Sequence, residues 1–445
     1  MESLLFAAVA DDDTGASDLA GMLAGQGART LLVIDLPEPE KLAAWARGYD
    51  AVVMAEATRN VAPALAYERT RAAVRLLRAM RPRLFQVKYC STFDSTPEGN
   101  IGPSIDAAMD ELGEEFTVAL PALPVNGRTT YQGYHFVHGR LLSDSPMRHH
   151  PLTPMTNPDL VDLLGRQTRR RVGLAPYAGI ESGGDGLKEH FAALRREGVN
   201  VAVVDCLHEA HVETICRACD GLRLLTGGSA FGAWLPRLWR ERGLLKDERP
   251  PPPPLPSGGN GAGCLIVAGS CSEATRRQNE WFAARGAFVR RLTAEELLSG
   301  SLDAAALAGE VRAELGAGRH CLLTTSAAAD EVRGVQRWGE ARGLSVPALG
   351  EKLSYALAGV VREMVEGGAV GGLVVAGGET SGAVCRRLEL GALRVGRNIE
   401  PGVPLCFAVG GRPLPLVLKS GNFGGEDFYA RAIDAVSRRG EFFDF

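Results

Sequence analysis

Five consecutive prolines, Pro250 to Pro254, run into Ser257-Gly258-Gly259-Asn260-Gly261. No helix or sheet interior accommodates such a run. Each proline lacks a backbone N–H and locks φ, and the glycines that follow are too free to propagate either hydrogen-bond ladder. A stiff stretch beside a flexible one reads as a linker. It divides the 445 residues into 1–245, a Pro/Gly-rich linker 246–262, and 263–445. Each flanking piece is long enough for a core of its own.

Both pieces alternate short apolar runs with helical periodicity. In the first, strands are expected at 4–10, 29–34, 51–55, 84–87, 116–120, 172–175, 199–204 and 222–225. In the second they are expected at 264–268, 287–292, 320–324, 372–376 and 414–418. Segments such as 62–79 and 104–112 carry apolar residues at three- and four-residue spacing. Strand–helix alternation predicts an α/β protein of two domains, each a mainly parallel sheet with flanking helices. Ligands of such sheets gather at the carboxyl ends of the strands, so the loops after strands carry the functional reading.

Composition narrows the class. Hydrophobic residues make up 45% and charged residues 23%, as in globular proteins generally. A net charge of −4 argues against general nucleic-acid binding. No apolar stretch is long enough to cross a bilayer, and the first residues lack a basic region leading into an apolar core, so a cytoplasmic location is expected. Nine scattered cysteines fit reduced thiols rather than a disulfide framework. Cys216-Arg217-Ala218-Cys219 has no second Cys/His pair at zinc-ligand spacing, and adjacent His149-His150 would point opposite ways on an extended chain; no protein-held metal is expected.

Three loops of the first piece concentrate polar chemistry. Asp11-Asp12-Asp13-Thr14-Gly15 ends the first strand. Three crowded carboxylates repel one another unless a cation or a substrate hydroxyl is there to receive them. Such a carboxylate could accept a proton from an attacking hydroxyl or help hold Mg²⁺; the plainer alternative is that Asp13 or Thr14 caps the next helix. The run Lys88 to Gly102 suits a small polyhydroxy acid, with Lys88 for its carboxylate and Ser91, Asp94, Ser95 and Asn100 for its hydroxyls. Otherwise it is a polar cap for a helix starting near Gly102. After the Asn126-Gly127 turn, Arg128 is a candidate bidentate partner for carboxylate or phosphate.

In the second piece, strand–turn–helix junctions recur at Gly269-Ser270-Cys271-Ser272, at Gly377-Gly378-Glu379-Thr380-Ser381-Gly382, and at Lys419-Ser420-Gly421-Asn422-Phe423-Gly424-Gly425. Free backbone N–H groups and a helix dipole make each an anion site. One alone reads as a tight turn; three in one domain favour a shared phosphate-bearing ligand. There is no Gly-Lys dipeptide, which excludes the Walker A loop, and no GxGxxG between a strand and a helix.

Three of these motifs, Ala10-Asp11-Asp12 with Thr14-Gly15-Ala16, Gly378-Glu379-Thr380-Ser381-Gly382-Ala383, and Lys419-Ser420-Gly421-Asn422-Phe423-Gly424, occur in an order that resembles the four-carbon acid sugar kinases over nearly the whole chain. Within that family the run Lys88 to Gly102 and the segment His150-Pro151-Leu152-Thr153-Pro154-Met155 look like the 3-oxo-tetronate kinase branch. The resemblance implies an acid-sugar-binding first domain, a nucleotide-binding second domain and an active site between them. It carries ATP binding onto Ser270, Gly377, Gly378, Glu379, Thr380, Ser381 and Gly421, with Asn422 beside them. Asp13 departs from the family, where an apolar or aromatic residue is common.

The expected reaction is transfer of the ATP γ-phosphoryl group to the terminal hydroxyl of a four-carbon keto-acid. Asp12 would act as base or hydroxyl-orienting group with Asp11 helping, Lys88 and Arg128 would anchor the substrate carboxylate, and Lys419 would neutralise the transferring phosphate. Mg²⁺ would be carried mainly by ATP. The expected partners are the acid sugar and ATP, with no nucleic acid and no membrane; a homodimer is left open. A threonate or erythronate kinase of the same family is the near alternative. An NAD-dependent dehydrogenase and a non-catalytic acid-sugar and nucleotide sensor are alternatives from other classes.

Overall fold

The computed structural model describes residues 4–149, 153–245, 263–368, 370–409 and 414–443. The chain divides into two compact units, Met1–Pro252 and Pro253–Phe445. The expected linker 246–262 lies outside the described residues, as does His150-Pro151-Leu152.

The first unit contains strands β1 (Phe6–Ala10), β2 (Thr30–Ile34), β3 (Ala51–Ala55), β4 (Leu84–Lys88), β5 (Thr117–Leu120), β6 (Arg128–Tyr131), β7 (Tyr134–Val137), β8 (Arg140–Leu141), β9 (Val172–Ala175), β10 (Val201–Val204) and β11 (Leu224–Gly227). Eight of them form a parallel sheet in the order β2-β3-β1-β4-β11-β5-β10-β9. β1, β2 and β3 are buried along their whole length, as strands covered by helices on both faces must be, which explains their unbroken apolar composition. Helix Pro63–Arg78 packs on helix Ile101–Leu112, and helix Asp13–Gly25 on helix Ala230–Glu241.

Register decides where the loops fall. Ala10 pairs with Ala55 and with Lys88, and Lys88 with Gly227. The ends of β3, β1, β4 and β11 are therefore level, and the loops that follow them rise from one edge. β1 lies at the crossover point, with β2 and β3 on one side and β4 on the other, where a parallel sheet opens a crevice.

Two features differ from the expectation. The polar stretch after Asn126 is a three-stranded antiparallel ribbon, β6-β7-β8, rather than a loop. Asn126-Gly127 closes a 3₁₀ turn, with Gly127 left-handed at φ 70°. Also, neither Asp13 nor Thr14 caps helix Asp13–Gly25. Asp12 does, accepting from the Gly15 N–H at 2.9 Å, and Asp13 lies buried in the first turn, where the helix dipole favours its charge.

The second unit contains β12 (Cys264–Ala268), β13 (Phe288–Arg291), β14 (Cys321–Thr324), β15 (Gly372–Ala376), β16 (Ala392–Glu400), β17 (Val403–Ala408) and β18 (Pro415–Lys419). β13-β14-β12-β15-β18 is parallel, and β18-β17-β16 continues it antiparallel. The hairpin β16–β17 was not expected from sequence, because Gly396-Arg397-Asn398 breaks the alternation begun by Leu393 and Val395. Ala268, Ala376 and Lys419 stand in one row across β12, β15 and β18, so their three loops leave the same edge. Beneath them Phe282 meets Tyr429 edge-to-face at 5.7 Å, within a core that includes Phe407 and Phe428. Among the described residues no helix is long and apolar enough to cross a membrane.

Candidate active site

At the level edge of the first unit, charges alternate. Arg59 Nε and Nη2 grip Asp11 Oδ2 and Oδ1 at 3.0 and 2.8 Å, and Nη2 also donates to Asp12 Oδ1 at 2.7 Å. Asp12 further accepts from the Thr14 hydroxyl at 2.8 Å. The Thr58 and Arg59 N–H groups both bond to the Asp11 carbonyl, so the β3 loop is pinned to the β1 loop by backbone as well as by side chains. Ala57, in the left-handed region at φ 50°, makes the sharp turn that brings Arg59 over.

Environment separates the two carboxylates. Burial works against the Asp12 charge, but Arg59, Lys88 and the hydrogen bonds from Thr14 and Gly15 outweigh it, so its carboxyl titrates below the ordinary range. At Asp11 burial dominates and raises the pKa, although Arg59 opposes it. Asp12 is thus a fixed, ionised acceptor at the head of a helix. Two residues before Thr58, Glu56 is 3% exposed and burial pushes it up to about 8; Thr70 donates to one of its oxygens at 3.2 Å and the other has no partner.

Lys88 is 2% exposed, and its ammonium donates to the Tyr89 carbonyl at 2.9 Å. A Cβ placed on Gly15 would come 3.0 Å from Lys88 Nζ and 2.2 Å from Asp12 Oδ1, so glycine lets the lysine approach the helix start. A small pocket is lined by Asp11, Thr58, Arg59, Lys88, Asp94, Ser95 and Asn100, among others.

The expected substrate residues do not all present themselves to it in the same way. Asn100 Nδ2 donates to the carbonyls of Thr58, Arg59 and Val61, at 2.7, 3.1 and 2.7 Å; its amide holds the β3 loop. Ser95 Oγ accepts from Gln167 Nε2 at 3.0 Å. Asp94 is half-buried and accepts from the Thr92 hydroxyl, after Phe93 turns the chain at φ 53°. Ser91 is half-buried, with its carbonyl at 2.9 Å from His135 Nε2. Arg128 donates through Nη1 to the Asn126 carbonyl, its Nε has no partner, and its charge bears on Asp18.

Sequence reasoning passed over Arg59, Asp18 and the Gly227-Gly228-Ser229 turn. Ser229 Oγ donates to Asp18, whose pKa burial raises against the charges of Lys88 and Arg128. Gln86 Nε2 holds the Gly228 carbonyl at 2.7 Å. The signal was available, since a strand-end glycine pair is the same mark that singled out Gly377-Gly378. Arg59 carried no motif and is found only because it follows β3.

In the second unit the three glycine loops touch. A Cβ on Gly269 would lie 2.0 Å from Thr380 Oγ1, and one on Gly421 would lie 2.2 Å from Ser270 Oγ. Gly377, at φ 127°, precedes its helix, and a Cβ placed on it would come 3.1 Å from the Ser270 nitrogen. The Ser272 and Thr275 hydroxyls both donate to the Gly421 carbonyl, at 2.7 and 2.8 Å. Gln278 Nε2 gathers the carbonyls of Phe423, Gly424 and Gly425 at 2.9–3.0 Å. The loop's carbonyls are thereby turned inward and held, and the Phe423 N–H closes it on the Ser420 carbonyl. Glu379 and Asn422 are exposed at this edge, and Thr380 and Ser381 are buried in the first turn of helix Gly378–Arg387.

Lys419 is fully buried. Its ammonium donates to the carbonyls of Ser420 and Gly421, at 3.0 and 3.1 Å, and to Thr275 Oγ1 at 3.3 Å; burial pushes it down to about 7. It therefore braces the loop from beneath. Among the described residues no cluster of His, Cys, Asp and Glu could hold a metal ion.

One unit thus presents a sheet-edge cluster of carboxylates and cations, and the other a set of glycine loops in mutual contact. Residues 6–235 match the sugar-binding N-terminal domain family and residues 265–429 the nucleotide-binding C-terminal domain family, and the chain belongs to this two-domain family. It is 42% identical over 440 residues to the 3-oxo-tetronate kinase of Methylobacterium radiotolerans, covering 98% of this chain and 100% of that one. With the 3-oxo-tetronate kinase of Pseudomonas fluorescens it is 41% identical over 435 residues, 97% of each. Among solved structures it is similar to a Salmonella typhimurium protein described as a putative tRNA synthase, with TM-score 0.79, 35% identity and coverage of 96% and 98%.

Proposed function

We propose that this chain is an ATP-dependent kinase that phosphorylates the terminal hydroxyl of 3-oxo-tetronate, giving 3-oxo-4-phosphotetronate. The observation that carries the reading is about 40% identity to 3-oxo-tetronate kinases along nearly the whole chain, combined with an ionised, immobilised Asp12 beside the half-buried Arg59 and the buried Lys88.

Phosphoryl transfer passes through a loose transition state, so catalysis is mainly positioning and charge stabilisation. Asp12 orients the acceptor hydroxyl by accepting its hydrogen bond. Its low pKa makes it a weak base, which suits a reaction in which the proton leaves late. Asp11 holds Arg59, and Arg59 in turn fixes Asp12. Lys88 and Arg128 take the substrate carboxylate; Ser91 and Asp94 take its hydroxyls, while Ser95 and Asn100 shape the loop. ATP phosphates lie against Ser270, Gly377 to Ser381, Gly421 and Asn422. Lys419 adds a positive charge under that loop. Mg²⁺ carried by ATP would supply charge neutralisation at the phosphates, with no residue of this chain needed to hold it. A cytoplasmic location fits ATP as co-substrate.

A coupled ADP-release assay over four-carbon acids, with and without the 3-oxo group, tests the assignment. Highest kcat/KM is expected for the 3-oxo acids. Preference for threonate or erythronate would move the enzyme to the neighbouring specificity, and silence across the panel would refute the kinase.

A further inference from the structure

The ribbon β6–β8 carries a fully buried histidine that reaches outside the ribbon. His135 Nε2 lies 2.9 Å from the Ser91 carbonyl oxygen, and Nδ1 lies 3.0 Å from Thr130 Oγ1. A carbonyl oxygen only accepts, so the proton sits on Nε2, and Nδ1 accepts from the threonine hydroxyl. Both ring nitrogens are satisfied in this neutral tautomer. Burial and the charge of Arg128 keep the ring neutral, lowering its pKa to about 4, against the opposing charge of Asp94.

Thr130 is itself anchored. Its backbone exchanges two 2.9 Å hydrogen bonds with Cys206, just past the end of β10, and it faces His135 across the ribbon. A continuous chain of contacts therefore runs from the sheet through Thr130 and His135 to the Ser91 carbonyl. Arg128 sits two residues earlier on the same strand. The Ser91 to Asp94 segment belongs to no strand and turns through Phe93 in the left-handed region, so its place depends on side-chain anchors.

We propose that His135 is a positioning residue for the acid sugar: by donating to the Ser91 carbonyl it sets the spacing between the Ser91–Asp94 loop and Arg128. The inference rests on the reading above that these two segments hold the substrate.

Steady-state kinetics of the full chain test it. His135→Leu keeps apolar volume but loses the donor; loss of one buried hydrogen bond predicts a KM for the acid raised about tenfold, with the KM for ATP within about twofold of wild type. His135→Gln, whose amide N–H can reach the same carbonyl, should recover most of the loss. Thr130→Val, which frees Nδ1, should fall between. An unchanged acid KM in His135→Leu, or a glutamine variant no better than leucine, overturns the proposal. If His135→Leu does not fold, an unchanged acid KM in Thr130→Val overturns it instead. Arg128→Ala in the same assay keeps the two levels apart. If it leaves the acid KM unchanged, the substrate reading falls; if it raises that KM while His135→Leu does not, only the positioning role falls.

Discussion

Replacing Glu56 by glutamine should stabilise the protein in alkali and leave it nearly unchanged in acid. Glu56 directly follows β3, with one oxygen bonded to Thr70 and the other unpartnered. Burial raises its pKa from 4.5 to about 8, with the Thr70 hydrogen bond and the charge of Arg69 opposing. The sign follows from linkage. Below pH 4.5 the group is protonated both folded and unfolded and has no effect. Between 4.5 and 8 only the folded chain keeps the proton, so stability declines as pH rises; above 8 the penalty is complete. At about 1.36 kcal/mol per pKa unit the full penalty approaches ~5 kcal/mol, an upper bound because water entry would relieve it. At about 2–4 °C per kcal/mol, Glu56→Gln should raise Tm by up to ~10–20 °C at pH 8.5. At pH 4.5 the amide stands in for the protonated acid and the shift should be small. Thermal melts of both proteins at the two pH values decide the matter. Equal shifts at both pH values, or a variant less stable at pH 8.5, would refute the argument that a protonated carboxyl occupies this site.

Asp12→Asn should lower kcat by about 10²–10³ while leaving ATP binding measurable, because it removes the charge that orients the acceptor; near-normal turnover would remove Asp12 from the chemistry. Gly269→Ala drives a methyl group into Thr380 Oγ1 and should raise the KM for ATP at least ~tenfold with little effect on the acid; an unaltered ATP KM would show that the two loops do not share the nucleotide. Lys419→Met strips the donor from the Ser420 and Gly421 carbonyls, so nucleotide affinity should fall. Burial pushes Lys419 down to about 7, so the wild-type KM for ATP should also rise as pH climbs from 6 to 8.5 and the ammonium loses its proton. An identical pH profile in the methionine variant would disconnect Lys419 from that trend.

Much of the fold was written in local pattern. β3, β9, β12 and β15 begin and end where the apolar runs do, and the others differ by one or two residues at either end, because helix-covered parallel strands must be apolar on both faces. The ribbon β6–β8 and the hairpin β16–β17 were not legible: Arg128, Thr129 and Thr130, like Gly396-Arg397-Asn398, interrupt the apolar alternation, although the strands pair with near neighbours in sequence, Tyr131 with Tyr134 and Glu400 with Val403. The glycine loops were found because their chemistry is contiguous. Arg59 was not, since nothing near it in sequence marks it until β3 is laid beside β1.

The sequence by itself determined the alternating α/β elements, the strand-end loops and the family to which they belong, all properties set by neighbouring residues and their order. Only the tertiary structure decided what those loops do for one another. Register levels Ala55, Ala10, Lys88 and Gly227, and thereby lets Arg59 bind both Asp11 and Asp12 and separate their acidities. It also assigns Asn100 to bracing a loop and turns Lys419 inward onto its own carbonyls. Those roles depend on burial and on distances of a few ångströms between residues far apart in the chain, which no local pattern encodes.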